Sequence, residues 1–162
     1  MDLTQISSQL STSPSRFPDC CLSISTTLLA TLTTVLPKRP AFTLSIGSGS
    51  GLLEGLLSHS NATTSVEGVE VASTVNRYIA EEDMHVAAGA WDLYSRAKQA
   101  EAWMYIEMYG DGGVEVIVWL GPKIDWIDCE PVFRQSVFDK VEILEEVGLA
   151  RYETAVVARR SG

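Results

Sequence analysis

Apolar and polar positions alternate in short blocks along this chain, some with a period of two and some with a helical period. Ala41 to Ile46 is an apolar run that predicts a strand over 42–46. Leu52, Leu53, Leu56 and Leu57 follow at helical spacing and predict a helix over 50–58. A loop at Asn61 to Thr64 leads to a second strand, 65–71, and a short helix, 73–79. A third strand is predicted over 84–88, a partly helical linker from Ala90 to Lys98, and a buried fourth strand from Glu101 to Tyr109. Val114 to Leu120 reads as a fifth strand, closed by Gly121-Pro122. Val132, Phe133, Val137, Val141, Ile143, Leu144 and Val147 suggest one helix over 130–147, with Gly148 as its C′ residue. Tyr152 to Arg159 is the last predicted strand.

Upstream, residues 1–18 are rich in Ser, Thr, Pro and Gln. They read as a flexible N-terminal arm, or as a short helix packed over a ligand site. Pro18 opens a helix through Val35, which Pro37 and Pro40 end. The rest, 19–162, reads as one α/β domain. Strand–helix alternation at these lengths predicts a Rossmann-like sheet of mainly parallel strands with helices on both faces. The last strand is expected antiparallel, at or near an edge. One connection breaks the pattern. Only Gly110-Asp111-Gly112-Gly113 separates the fourth and fifth strands, a spacing that fits a hairpin rather than a crossover.

The chemistry concentrates at Gly47-Ser48-Gly49-Ser50-Gly51, between the first strand and the first core helix. Glycine admits φ > 0 and lets a ligand approach the backbone. A helix that starts there directs free N–H groups and a positive dipole end at the same place. The spacing is G-x-G-x-G, not the G-x-G-x-x-G of dinucleotide binders. Glu70 closes the second strand, where a βαβ nucleotide fold places its ribose acceptor. It reads either as that acceptor or as a solvated strand-end carboxylate. Trp91 is either core or a wall of a ligand pocket. Asp92 is either a helix cap or an acceptor.

With these stretches in hand, the chain resembles the class I S-adenosylmethionine-dependent methyltransferases over roughly Ala41 to Arg160. Small methyltransferase-like proteins of filamentous fungi show stretches similar to Gly47–Gly51, Gly68–Val71, Ala90–Leu93 and Val118–Trp126. The resemblance implies a cofactor site at Gly47, Ser48, Gly49, Gly51, Glu70, Val71, Ala90, Trp91 and Asp92. It places Glu107 and Tyr109 where the transferring methyl group faces, Glu107 as the first candidate base and Tyr109 as the second. Methyl transfer needs in-line alignment above all, and a base only where the acceptor loses a proton. Ser45 stands where many members of the family carry an acid. The family also has a further strand, for which this chain is expected to end too early, so the fold is expected to be a minimal, truncated version. The expected activity is S-adenosylmethionine-dependent methylation of a small molecule such as a secondary metabolite. The alternative is a methyltransferase-like protein without methyl transfer, acting as a cyclase or isomerase or as a non-catalytic partner subunit. An NAD-binding fragment fits least well.

Charge narrows the partners. The formal net charge is −9, which disfavours nucleic acid, since phosphate binding needs a basic surface. Cys20, Cys21 and Cys129 show no metal-ligand spacing, and no metal is expected. Reduced thiols in the cytoplasm are the expectation. Serines and threonines break up the stretch from Cys20 to Leu36, so no membrane span is expected. A bare sheet edge, left by the missing last strand, would favour a homodimer or a complex with a larger enzyme.

Overall fold

The computed structural model describes residues 2–87, the backbone of 102–104, and residues 114–161. Its helices are α1 (Leu3–Gln9), α2 (Thr26–Val35), α3 (Leu52–Ser60) and α4 (Lys123–Arg134). Its strands are β1 (Thr43–Ile46), β2 (Val66–Glu70), β3 (Met84–Val86), β4 (Ala102–Met104), β5 (Val116–Pro122), β6 (Lys140–Leu144) and β7 (Glu153–Arg159). The strands form a seven-stranded sheet in the order β3-β2-β1-β4-β5-β7-β6. The first five in that order pair in parallel, and β7 runs antiparallel to both of its neighbours.

Strand alternation divides the core in two. Val118, Leu120, Ala155 and Val157 face α2 and α3, in a cluster with Leu28, Leu32, Leu56 and Leu57. Ile117, Trp119, Val156 and Ala158 face the other way, onto Trp126 and Phe133 of α4. A period of two along β5 and β7 therefore feeds both faces of one sheet.

Four sequence expectations are corrected here. The helix predicted over 130–147 is instead the end of α4, a turn, and β6. Ser136 ends α4: its N–H reaches the Phe133 carbonyl at 3.0 Å, and its hydroxyl accepts from Phe138 N–H at 3.0 Å. Lys-Val-Glu-Ile at 140–143 then alternates with period two, a strand signal that the scattered apolar residues concealed. The strand expected to be missing is thus present, and β6 occupies the edge thought to be bare. The exposed edge was the main premise for a homodimer, and that premise is gone. Second, β4 and β5 pair in parallel, with Ala102 opposite Val116, which no hairpin can join. Third, α2 begins at Thr26 rather than Pro18, because Ser25 caps it by accepting from Leu28 N–H at 3.0 Å. Fourth, Asp125-Trp126 after Gly121-Pro122 reads from the sequence as a loop at a strand end, yet both residues lie in α4. Trp126 is 4% exposed, stacked 5.3 Å from both Trp119 and Phe133, so it pins the helix to the sheet and does not line a pocket.

The N-terminal residues are held against the body. Asp2 and Gln5 form a capping box around the first turn of α1, whose Ile6 is buried in the core. Residues 15–24 form a strap closed by a bridge between Ser15 and Ile24.

Candidate functional site

Gly47, Gly49 and Gly51 all have positive φ, at +71°, +58° and +76°. L side chains seldom adopt that region, so the loop needs glycine at each position. Gly51 also needs it sterically, since a Cβ there would lie 2.4 Å from Ile79 Cγ1. A Cβ at Gly47 or Gly49 would meet nothing within 4 Å. Packing does not explain those two, whereas a ligand lying against the backbone would.

The loop is tied to β2. Gly47 and Ser48 N–H both donate to the Val69 carbonyl, at 3.0 and 3.1 Å. One carboxylate oxygen of Glu70 accepts from Gly49 N–H at 2.7 Å, and the other from Val71 N–H at 3.1 Å. Hydrogen bonds to an ionised acceptor are among the stronger ones, so the carboxylate is fixed beside the loop with lone pairs to spare. Helix α3 follows Gly51 without a side-chain hydrogen bond from its cap residue.

A cleft of about 910 Å³ opens at this point, where the parallel strands end. Gly49, Ser50 and Glu70 form one wall, and Arg16, Cys20 and Cys21 of the strap form the opposite one. Val75 and Arg77 close a third side. Val71 is 73% exposed and Val75 42%, an apolar rim beside a carboxylate. Asp19 latches the strap over the loop. Its carbonyl accepts from the Ser50 hydroxyl at 2.5 Å, and its carboxylate accepts from Arg77 at 2.9 Å and Tyr78 at 3.2 Å. Burial raises the Cys20 thiol to about 11 and keeps it protonated.

Beneath the loop lies a buried carboxyl. Glu54, in the first turn of α3, accepts the Ser45 hydroxyl proton at 2.6 Å and is 5% exposed. Burial pushes its pKa up from 4.5 to about 7, against the Ser45 hydrogen bond, which lowers it. A raised carboxyl pKa means that the folded state holds the proton more tightly. Its stabilisation is full below about pH 4.5 and is lost as pH rises through about 7. Unfolding in urea at stepped pH is expected to show a loss of roughly 3 kcal/mol across that window, absent in Glu54→Gln. An equal decline in both proteins would assign the effect to other groups.

Of the residues expected at a cofactor site, the fold brings together Gly47, Ser48, Gly49, Gly51, Glu70 and Val71. Ala90, Trp91, Asp92, Glu107 and Tyr109 lie outside the described residues. His85 bonds Glu67 at 2.6 Å within the sheet, and His59 lies on α3, away from the cleft. Asp19, Arg77, Tyr78, the vicinal cysteines and Glu54 escaped the sequence reading. Only Glu54 left a signal, as a charge inside the apolar run Leu52–Leu57.

No known protein-family profile matches the chain, and no curated protein matches it by sequence. Solved structures do match in shape. Precorrin-6y C5,15-methyltransferase from Geobacter metallireducens aligns with a TM-score of 0.59 at 13% identity, over 91% of this chain and 93% of that one. A SAM-dependent methyltransferase from Bacteroides fragilis, in complex with S-adenosyl-L-homocysteine, aligns at 0.56 and 11%, over 83% and 77%. The 23S rRNA methyltransferase ErmE aligns at 0.51 and 14%, over 86% and 69%. The fold is that of the class I methyltransferases. At these identities the likeness establishes the fold alone. Within a class I sheet the cleft occupies the carboxyl ends of β1 and β2, beside the crevice where open α/β sheets receive ligands. No helix among the described residues is long and apolar enough to cross a membrane, and no group of three metal-ligating side chains occurs among them.

Proposed function

We propose that this chain binds S-adenosylmethionine in the cleft between the glycine loop, the end of β2 and the strap, and methylates a small molecule. The observation that carries this reading is the pairing of Gly49 N–H with the Glu70 carboxylate beside open space at Gly47 and Gly49. That arrangement suits a nucleoside. Glu70 has lone pairs left for the ribose hydroxyls, the loop backbone admits close approach, and Val71 and Val75 offer apolar surface to a flat base. When bound, the cofactor supplies an electrophilic methyl group. The protein's part is alignment: the loop and Glu70 fix the nucleoside, and the strap covers the opposite side. Glu107 and Tyr109 follow β4 in sequence, and we assign them to acceptor binding and proton removal on that ground.

A small neutral or cationic acceptor is favoured over RNA. The net charge is −9, and both arginines lining the cleft already face carboxylates: Arg77 pairs with Asp19 and Arg16 with Glu153. The resemblance to a structure named as an rRNA methyltransferase does not supply the basic surface that RNA would need. The setting proposed for this reaction is secondary metabolism in the cytoplasm.

Isothermal titration with S-adenosylhomocysteine and, separately, with NAD tests the assignment. Binding of the first and not the second is expected, with Glu70→Ala weakening it by about 1.5–3 kcal/mol, the scale of hydrogen bonds to a charged group. Binding of neither ligand refutes the site. A loss below twofold in Glu70→Ala would make Glu70 a structural brace for the loop only.

A further inference from the structure

We propose that Cys20 and Cys21 form a dithiol site for a trivalent arsenical, on the wall of the cleft that faces Gly49 and Glu70. The two cysteines are consecutive, both are free, and both line the cleft. The cofactor reading makes no use of them, and the site does not depend on that reading. Cys21 is exposed. Cys20 is half-buried, packed against the core cluster that holds α2 and α3, and its sulfur accepts from Leu22 N–H. The strap fixes the pair from both sides. Before it, Cys20 N–H donates to the Phe17 carbonyl at 3.1 Å, and Asp19 is tied to Ser50 and Arg77. After it, Leu22 is buried in the core and Ser23 N–H donates to Glu153.

Geometry decides what such a pair can take. Consecutive Cα atoms lie about 3.8 Å apart across a trans peptide, short of the roughly 4.4–6.8 Å that an ordinary disulfide spans. A direct S–S bond would strain the ring or pull the backbone out of the turn that begins at Phe17. Burial also holds the Cys20 thiol protonated near neutral pH, whereas the thiolate is the form that attacks a disulfide. Both facts keep the pair as two thiols. A single atom bonded to both sulfurs closes a ring one member larger, with less strain. Zinc would need four ligands, and no group of three or more metal-ligating side chains occurs among the described residues. A soft metal of linear, two-coordinate geometry needs its sulfurs on opposite sides, which neighbouring residues cannot supply. Trivalent arsenic is pyramidal and takes both sulfurs on one side. The step is a condensation with an arsonous acid, which carries two hydroxyls on arsenic. Two As–O bonds break, two As–S bonds form, and each hydroxyl leaves as water with a thiol proton. Arsenic stays trivalent and nothing is oxidised. The reaction starts from neutral thiols, the state in which Cys20 is held.

Phenylarsine oxide, which hydrates to an arsonous acid in water, is the probe. Added to the reduced full-length chain, it is expected to leave one phenylarsenic per chain by intact mass. That adduct is expected to survive excess glutathione and to be removed by 2,3-dimercaptopropanol. Cys20→Ser and Cys21→Ser are each expected to weaken capture by about a hundredfold or more, the usual gain from a second linked bond. Cys129→Ser lies on the opposite face of the sheet and is expected to keep the adduct. Adjacent cysteines also exist in the unfolded chain, so folding is the second readout. The fixed strap spares the cost of ordering the pair. Saturating probe is therefore expected to raise the melting temperature of the wild type by several degrees and to leave that of Cys21→Ser unchanged. An adduct that Cys21→Ser retains equally well, or a melting temperature that falls on loading, would overturn the site. Oxidised glutathione gives a complementary check. Exchange at the exposed Cys21 breaks the reagent's S–S bond, forms a mixed disulfide and releases one glutathione. That product is expected to persist. Rapid loss of the second glutathione, leaving a Cys20–Cys21 disulfide, would make the pair a redox couple and overturn the inference.

Discussion

Gly49→Val is expected to remove S-adenosylhomocysteine binding, by more than about a hundredfold, while the domain stays folded. Two effects converge on this residue. Its φ of +58° is one that a β-branched side chain seldom adopts, so the loop would be strained by about 1–3 kcal/mol. Its N–H is also the donor that holds Glu70 at 2.7 Å, and a reshaped loop would release that carboxylate. The added methyl groups would point into space that is open within 4 Å, so nothing in the core resists them. They would occupy the place where a ligand must approach. Fluorescence-detected melting and calorimetry on the same sample check the two halves of the claim. A melting temperature within a few degrees of wild type with no measurable heat of binding is the expected pair. Undiminished affinity would move the ligand away from this loop. Gly51→Val is the informative contrast. Its Cβ would meet Ile79 at 2.4 Å, so that change is expected to lower stability as well as binding.

The contrast between these glycines marks how far the sequence was legible. Alternating glycines between an apolar strand and an apolar helix announced a turn, and Glu70 at the end of the next strand announced its partner. Both signals are local, and both elements lie where the pattern put them. The same holds for β5 and β7, where continuous apolar runs face two layers of core. Misreading began where local pattern and tertiary context disagree. The 130–147 stretch has enough apolar residues for a helical face, yet Ser136 and the pairing of Val141 with Ala158 divide it into helix and strand. The Gly110–Gly113 segment has the composition of a hairpin turn, but the parallel pairing of β4 and β5 excludes one. The strap was legible only as a segment that could pack over a ligand site. Its anchoring rests on contacts of Arg16 and Ser23 with Tyr152, Glu153 and Ala150, more than a hundred positions away, which no periodicity encodes.

Glu153→Ala is expected to cost about 3 kcal/mol of folding stability and to free the strap from the cleft. The side chain of Glu153 is 1% exposed, at the start of β7 and on the sheet end where the glycine loop also lies. It accepts from the Ser23 N–H at 3.2 Å, from the Ser23 hydroxyl, and from Ala150 N–H at 3.2 Å. Arg16 adds an ion pair at 3.3 Å and lies over the Tyr152 ring, 5.3 Å from its centroid. The arginine is 58% exposed, so solvent screens that pair, and Arg16→Ala is expected to cost far less than Glu153→Ala. The larger loss comes from the buried donors. Without the carboxylate, the N–H and hydroxyl of Ser23 lose their acceptor, while Ala150 N–H keeps the Ser23 oxygen at 2.9 Å. Those two orphaned groups also anchor the stretch that carries Asp19, Cys20 and Cys21 to the cleft. Loss of Glu153 is therefore expected to appear twice, as a lower urea midpoint and as protease cleavage within 10–24 under conditions where the sheet is still folded. S-adenosylhomocysteine binding should weaken in the same variant, although Glu153 does not line the cleft. A variant with wild-type stability and an uncut N-terminal segment would mean that α1 and the Ser15–Ile24 bridge hold the strap unaided.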